Sequence, residues 1–138
     1  MTNTFTLDWS GVVYKDEEIN EQLIKKIIDD FNIEEDSFLV LQPESPIKNS
    51  LYMQVQSPLD ENIPIEIRFI YTNGVMKHFR NESLDKQTIY QYLVDYWAKE
   101  EVPNIESWID ISHQFNTFSN RIIKRIKDIF LKEKKETN

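Results

Sequence analysis

Residues 65–80 read IEIRFIYTNGVMKHFR, two strand-like runs joined by TNG at residues 72–74. An Asn-Gly pair between such runs is the strongest short-range signal for a β-hairpin, because glycine adopts the positive φ that tight hairpin turns need. The stretch therefore predicts an antiparallel pair formed by residues 65–71 and 75–80. The register of this pair decides which side chains share a face, since a slip of one residue moves every side chain to the other side of the sheet.

Two registers are compatible with this hairpin. A two-residue Asn73-Gly74 loop pairs Arg68 with Phe79 and mixes polar with apolar side chains on every rung. A three-residue loop with Gly74 in the left-handed conformation sorts the two classes better, with Lys77 the one misfit among the core-facing residues, and we favour it for that reason. It places four polar side chains on one face: Glu66, Arg68, His78 and Arg80. The residues then expected to face the core are Ile65, Ile67, Phe69, Tyr71, Val75 and Phe79.

The four polar residues form the main candidate site in the sequence. Opposed residues of an antiparallel pair have Cβ atoms ~5 Å apart, so Glu66 can pair with Arg80 while Arg68 lies beside His78. Guanidinium groups offer a planar fork to carboxylate or phosphate. Three interpretations stay open: a solvated outer face with ordinary cross-strand pairs, a binding site for an anion or an acidic partner side chain, and a catalytic site.

Further strands are predicted upstream of the hairpin. Residues 38–42 form a continuous apolar run, and residues 51–56 alternate between apolar and polar side chains. Both patterns are typical of strands, and their order extends the hairpin to an antiparallel meander. Residues 5–14 predict one more strand, or two short strands broken at Ser10-Gly11.

Three segments have apolar residues at helical spacing. They are an apolar stripe from Ile19 to Phe31 with Asp16 as N-cap, residues 84–100 with Ser83 as cap, and residues 116–134. The expected fold class is α+β, an antiparallel sheet of four to six strands packed by about three helices. We expect a single domain over residues 1–138 with a frayed tail at 132–138.

The composition argues against several kinds of chemistry. The chain has no cysteine and only two histidines, His78 and His113, which are too far apart for a helical zinc motif. Its two glycines, Gly11 and Gly74, cannot form a phosphate-binding glycine-rich loop. We therefore expect no metal, no cofactor and a non-enzymatic protein.

The charge is large, negative and unevenly distributed. The net charge is −8, with seven Lys or Arg and three Asp or Glu in residues 121–138. The acidic remainder repels phosphate backbones and attracts cationic surfaces, so a basic protein is a more plausible partner than a nucleic acid. The basic segment itself fits either a helix docked on the core or a helix that binds nucleic acid or a membrane surface.

The sequence also bears on location. The first residues have neither the basic region nor the apolar region of a signal peptide, and no apolar run approaches the ~18 residues of a membrane span. A cytoplasmic location is the expectation. The oligomeric state is not indicated.

Tyrosines add two candidate binding residues. Tyr90, Tyr92 and Tyr96 cannot all be buried on one helix, so one or two should lie at the surface. Exposed tyrosine beside acidic groups is common in protein interfaces. Tyr90 and Tyr92 therefore join the four polar hairpin residues as candidates for partner binding.

About residues 38–112 combine several motifs in a particular order. The stretches are LYMQVQ, PIEIRF, NGV, KHFR, SLDKQTIYQYLVDYW and ESWIDIS, with Gln54, Glu66, Arg68, Trp108 and Asp110 as their marked positions. This order resembles small bacterial proteins of the toxin-immunity type. The resemblance implies a small acidic protein that docks onto a toxin and blocks its active site.

The predicted function is thus a non-enzymatic bacterial protein-interaction domain of the immunity type that binds a basic partner. The alternative is a small-ligand or anion-binding protein, or an enzyme, that uses Glu66, Arg68, His78 and Arg80.

Overall fold

The computed structural model of the chain describes residues 3–31, 37–57 and 62–114. In these residues the order of elements is β1, β2, α1, β3, β4, β5, β6, α2 and β7. The strands are β1 (Phe5–Trp9), β2 (Val12–Lys15), β3 (Phe38–Pro43), β4 (Ser50–Gln56), β5 (Ile65–Ile70), β6 (Met76–Asn81) and β7 (Ile109–Asp110). The helices are α1 (Glu21–Asp30) and α2 (Lys86–Lys99).

The described strands form one antiparallel sheet in the order β2-β1-β3-β4-β5-β6-β7. The α+β class and the β3 to β6 meander are confirmed, but the prediction of four to six strands is wrong, because the sheet has seven. The two-strand alternative for residues 5–14, broken at Ser10-Gly11, is confirmed as β1 and β2. The strand that the sequence did not predict is β7, whose two residues are too few to produce an alternation of apolar and polar side chains.

The hairpin has the favoured three-residue register. Ile67 pairs with Phe79, Arg68 with His78 and Glu66 with Arg80. Gly74 has φ of +83° at the last position of the loop, and its N–H donates to the Tyr71 carbonyl at 2.8 Å.

Both helices cover one face of the sheet and enclose the main core. This helix face contributes the buried strand residues Phe5, Leu7, Leu39, Leu41, Met53, Val55, Ile65, Ile67 and Phe69. The helices contribute Ile24, Ile27, Ile28, Ile89, Leu93 and Tyr96. The predicted stripe of α1 is confirmed, whereas two residues expected in the core, Tyr71 and Val75, are 36% and 46% exposed. They lie at the hairpin tip, beyond the end of β5 and before the start of β6.

The helix caps differ from the predicted ones. Asn20 caps α1 by accepting from the Leu23 N–H at 2.8 Å, while Asp16 begins a short 3-10 helix and accepts from the Phe5 N–H. Asp85 caps α2 by accepting from the Thr88 N–H. Residue type alone does not identify the cap, because several residues of the capping type stand near each helix start.

Two predicted features, the third helix at 116–134 and the frayed tail at 132–138, lie outside the described residues. Within the part of the chain that the structure describes, no helix is both long enough and apolar enough to cross a membrane.

Candidate functional site: the polar face of the sheet

The face opposite the helices carries a row of polar side chains that crosses the middle of the sheet. Because side chains alternate along a strand, the apolar residues of β4, β5 and β6 turn to the helices and the residues between them turn away. We call this second side the polar face. Two adjacent rungs of paired residues form its centre: Gln54, Glu66 and Arg80 on one, Tyr52, Arg68 and His78 on the other. Asp8 and Gln42 lie on the same face toward β1 and β3.

The polar face is buried, contrary to the interpretation of a solvated outer face. Glu66 and His78 are each 0% exposed, and Arg68 and Arg80 are each 8% exposed. Charged groups are rarely buried to this extent unless they are paired, because loss of hydration costs several kcal/mol per ion. The structure thus brings the four predicted residues together as a closed internal cluster.

Glu66 is the centre of this cluster. Its Oε1 is hydrogen-bonded to Nε2 of His78, and its Oε2 lies 3.8 Å from Nε of Arg80. An ionised carboxylate only accepts hydrogen bonds, so with Glu66 in that form the contact requires the His78 tautomer that bears its proton on Nε2. Nε of Arg80 lies also 3.1 Å from Oε1 of Glu82, which is half exposed, and this second contact joins the cluster to the surface.

The backbone of His78 is held from the β7 side. Its N–H donates to Oγ of Ser112 at 3.0 Å, and its carbonyl accepts from the Ile111 N–H at 2.8 Å. Oγ of Ser112 in turn donates to Oδ1 of Asp110, and this contact and the Ser112 N–H lower the pKa of that carboxyl group. The short edge strand and the turn after it therefore fix the position from which His78 reaches Glu66.

The second rung places Tyr52 beside Arg68. Burial raises the pKa of the Tyr52 hydroxyl well above its ordinary value, although the positive charge of Arg68 acts in the opposite direction. Burial also lowers the pKa of the Arg68 guanidinium. Nη2 of Arg68 lies 3.3 Å from Sδ of Met76. Tyr52 consequently stays protonated at neutral pH and is a hydrogen-bond donor rather than a charge.

Two buried groups of this face have no hydrogen-bond partner among the described residues. They are the Tyr52 hydroxyl and the side-chain amide of Gln54, which is 0% exposed. Buried polar atoms are nearly always hydrogen-bonded, so each exception requires a physical explanation. Sequence reasoning did not select Tyr52, Asp8 or Gln42 as site residues. The alternation of apolar and other residues in β1 and β4 was the signal that could have identified Asp8 and Tyr52, whereas the continuous apolar run of β3 gave no such signal for Gln42.

The other two candidate residues, Tyr90 and Tyr92, are not part of this cluster. They lie on α2, on the helix side of the sheet, and both are half buried. Nζ of Lys25 lies 5.6 Å from the centre of the Tyr90 ring, and the Tyr92 ring stacks on Trp108 with centres 6.3 Å apart. The structure therefore divides the six predicted residues into two groups. Four form the buried cluster on the polar face, and the two tyrosines pack on α2 on the opposite side of the sheet.

Burial sorts the charges of the described residues. The two buried carboxylates, Asp8 and Glu66, are balanced by the two buried arginines, Arg68 and Arg80. The remaining 14 carboxylates and seven lysines all lie at exposed or half-buried positions. The interior is therefore close to neutral, and the negative charge of the described part is a property of its surface.

Glu66 lies in contact with both His78 and Arg80, but Glu66 and His78 are each 0% exposed, so a ligand in the solvent cannot touch either residue. Across residues 3–31, 37–57 and 62–114, no group of three or more His, Asp or Glu side chains is arranged to hold a metal ion. Comparison of the chain with protein-family models, with curated proteins and with solved structures finds no match.

Proposed function

We propose that this protein is a non-enzymatic interaction domain that binds a basic protein partner through its acidic surface. In its more specific form the proposal is an immunity-type inhibitor in the bacterial cytoplasm, as the resemblance of the central segment implies. The buried polar face then has a structural role, which is to hold β4, β5 and β6 in a single register beneath that surface.

The observation that carries the proposal is the sorting of charge by burial. Among the described residues, 14 carboxylates and seven lysines lie outside the interior, while the two arginines of this part, Arg68 and Arg80, are buried on the same face as Asp8 and Glu66. The two buried arginines balance the two buried carboxylates, so the whole excess of carboxylates lies at the surface of the described residues. The field of such an acidic exterior attracts cationic partners from a distance and raises association rates by roughly 10- to 1000-fold.

Three glutamates allow a direct test of electrostatic steering. Glu17, Glu101 and Glu106 are exposed, so their side chains can be changed with little effect on the fold. The triple change to lysine moves the net charge from −8 to −2, and the matched triple change to glutamine moves it to −5. The two variants differ in charge at the same positions, so a graded effect isolates electrostatics from shape.

The measurement is the association rate with a basic partner that is captured from cells, identified and then purified. We expect the rate to fall in the order wild type, glutamine variant, lysine variant, by about tenfold or more in total at low salt, with smaller changes in the dissociation rate. Higher salt should reduce the differences because exposed charges are screened over ~10 Å at 0.1 M. Equal association rates for the three proteins would contradict the proposal.

The immunity form makes a further demand on the partner. The captured protein should inhibit growth when it is expressed alone, and co-expression of this chain should restore growth. A partner that is harmless alone would contradict the immunity-type proposal but would still be compatible with an interaction domain. Turnover of a small substrate by the purified chain without a partner would contradict both.

The second candidate function is binding of a small polar ligand or anion at the polar face, or catalysis there. The Tyr52 hydroxyl and the Gln54 amide favour it, because they are buried without a hydrogen-bond partner in the described residues. The test is Gln54→Leu, with thermal shifts measured for both proteins against a panel of phosphate, sulfate and small carboxylates. Ligand binding at this face predicts a shift in the wild type that is lost in the variant. If no anion stabilises the wild type and Gln54→Leu is more stable than the wild type, ligand binding at this face is contradicted. The buried amide then only lowers the stability of the fold.

A further inference from the structure

The strand β2 is a free edge of the sheet in the described part of the chain. It is the first strand in the sheet order and pairs there with β1 alone. Val12 is 55% exposed and Val13 is 41% exposed, although valine is a residue that is more often buried. An exposed edge with apolar side chains is a template for another extended chain.

The backbone of β2 offers one complete hydrogen-bonding pair to such a chain. The Lys15 N–H donates to Oε1 of Glu18, so it points away from β1. In an antiparallel ladder every second residue points its N–H and carbonyl to the same side. The N–H and carbonyl of Val13 therefore also point outward, while Val12 and Tyr14 pair inward with Trp9 and Leu7.

The side chains of β2 provide apolar contacts on both faces. Val13 is opposite Asp8 and lies on the polar face, whereas Val12 and Tyr14 are opposite Trp9 and Leu7 and lie on the helix face. A strand added beside β2 would thus cover apolar surface above and below the sheet. Such contacts are the main source of stability in strand pairing.

The chain after β2 determines the charge of a suitable partner. The short 3-10 helix Asp16–Glu18 consists of three exposed carboxylates, and Glu21 is exposed one turn later. A partner strand that runs antiparallel to β2 has its N-terminal residues beside this acidic turn, because its chain enters at the Lys15 end. At ~3.3 Å per residue, three residues before the paired segment are long enough to follow Asp16–Glu18.

We propose that β2 is the docking edge for an extended segment of the basic partner, antiparallel to β2, with basic residues at its N-terminal end and alternating β-branched residues after them. This inference rests on the proposed function and adds the surface and the form of the partner segment. A second copy of the chain is disfavoured as the occupant, since two copies bring together surfaces of the same negative sign.

A short synthetic peptide tests the edge directly. The probe has three arginines followed by six residues that alternate threonine and valine, and the control probe has three glutamates in place of the arginines. The variant is Val13→Pro, which removes the outward N–H without removing a hydrogen bond to β1. Val13→Thr is the matched control, because it keeps the N–H and the β-branched shape.

We expect the arginine peptide to bind the wild type and Val13→Thr with similar affinity, and to bind Val13→Pro at least tenfold more weakly. The glutamate peptide should bind all three proteins poorly. Circular dichroism shows whether Val13→Pro remains folded, and hydrogen exchange of the wild type gives a second measurement. Saturating arginine peptide should slow exchange of the Val13 amide at least tenfold.

Several results would overturn the inference. They are failure of the arginine peptide to bind the wild type, equal affinity for Val13→Pro, and unchanged exchange of the Val13 amide in the bound state. A wild-type dimer that Val13→Pro converts to monomers would show that a second copy occupies the edge instead. If the purified partner binds Val13→Pro as well as wild type but responds to the glutamate variants, the edge is excluded while the interaction function stands.

Discussion

Replacement of Glu66 by leucine should be among the most damaging single changes in the protein. The carboxylate is fully buried, is hydrogen-bonded to Nε2 of His78 and lies 3.8 Å from Nε of Arg80. Its removal leaves a cation and an imidazole in the interior without the acceptor around which they are arranged. Removal of one member of a buried charge pair typically costs 3–5 kcal/mol, roughly, because the remaining charge stays desolvated.

The contacts of Arg80 place the expected cost at the lower end of that range. Arg80 keeps its contact with Glu82 at 3.1 Å, so the change does not leave its charge without a carboxylate nearby. We therefore expect Glu66→Leu to lower the free energy of unfolding by about 3 kcal/mol. With an unfolding entropy of ~2.1 cal/mol/K per residue and 138 residues, this corresponds to a decrease in Tm of about 10 °C.

A double-mutant cycle separates the pair from the packing around it. His78→Leu alone should cost about 2 kcal/mol, since a buried group loses its hydrogen-bond partner. The double variant should cost about 3 kcal/mol rather than the sum of about 5, which gives a coupling energy of about 2 kcal/mol. The assay is urea unfolding followed by tryptophan fluorescence and by far-UV circular dichroism.

Glu82→Gln is the matched control, because it removes the surface carboxylate on the other side of Arg80. That carboxylate is 50% exposed, so the change should cost less than about 1 kcal/mol. The reasoning is refuted if Glu66→Leu is as stable as the wild type, or if the two single changes are additive. Either result would mean that Glu66 and His78 are not a coupled buried pair.

Three further changes test local features of the fold. Gly74→Ala should destabilise the protein by about 1–2 kcal/mol in urea unfolding, because φ of +83° is costly for a residue with a Cβ. Steric crowding adds nothing to this cost, since beyond the two neighbouring residues no described atom lies within 4 Å of the added Cβ. Asn20→Ala should cost about 1 kcal/mol by the same assay, since it removes the side chain that accepts from the Leu23 N–H. Hydrogen bonds from Thr88 lower the pKa of Asp85, so its contribution to stability is present above the unfolded pKa of ~3.9 and is lost as the pH falls through the folded value. Urea unfolding between pH ~2.5 and ~6 should therefore show a steeper rise in stability with pH for the wild type than for Asp85→Asn.

Each of these predictions has a control and a contradictory outcome. Gly74→Asn should cost less than alanine because asparagine tolerates the left-handed conformation better, and equal costs would argue against backbone strain. Asn20→Ser retains a capping oxygen and should remain close to the wild type, whereas a loss as large as that of alanine would show that the cap is not the cause. For Asp85, identical pH profiles of the wild type and the asparagine variant would exclude the carboxylate as the titrating group.

Local sequence patterns determined much of the architecture. The alternation in residues 65–80, with the Asn-Gly turn, was sufficient to choose the three-residue register and to assign Glu66, Arg68, His78 and Arg80 to one face. The helical stripe from Ile19 to Phe31 likewise predicted the buried residues of α1. Both features follow from the regular change of side-chain direction along a strand or a helix. A short stretch of neighbouring residues is enough to show this periodicity.

Tertiary structure decided whether the polar face is exposed, which residues form the sheet edges, and which side chains cap the helices. The alternation of apolar and polar residues in a strand indicates to which face of the sheet a side chain points. The exposure of that side chain depends on residues from distant parts of the chain that pack against it. For the same reason the pairing of β7 with β6, which holds His78 in position, had no signal in a two-residue strand. The sequence alone therefore identified the members of the polar cluster, and only the assembled sheet showed that they are buried and paired rather than displayed to solvent.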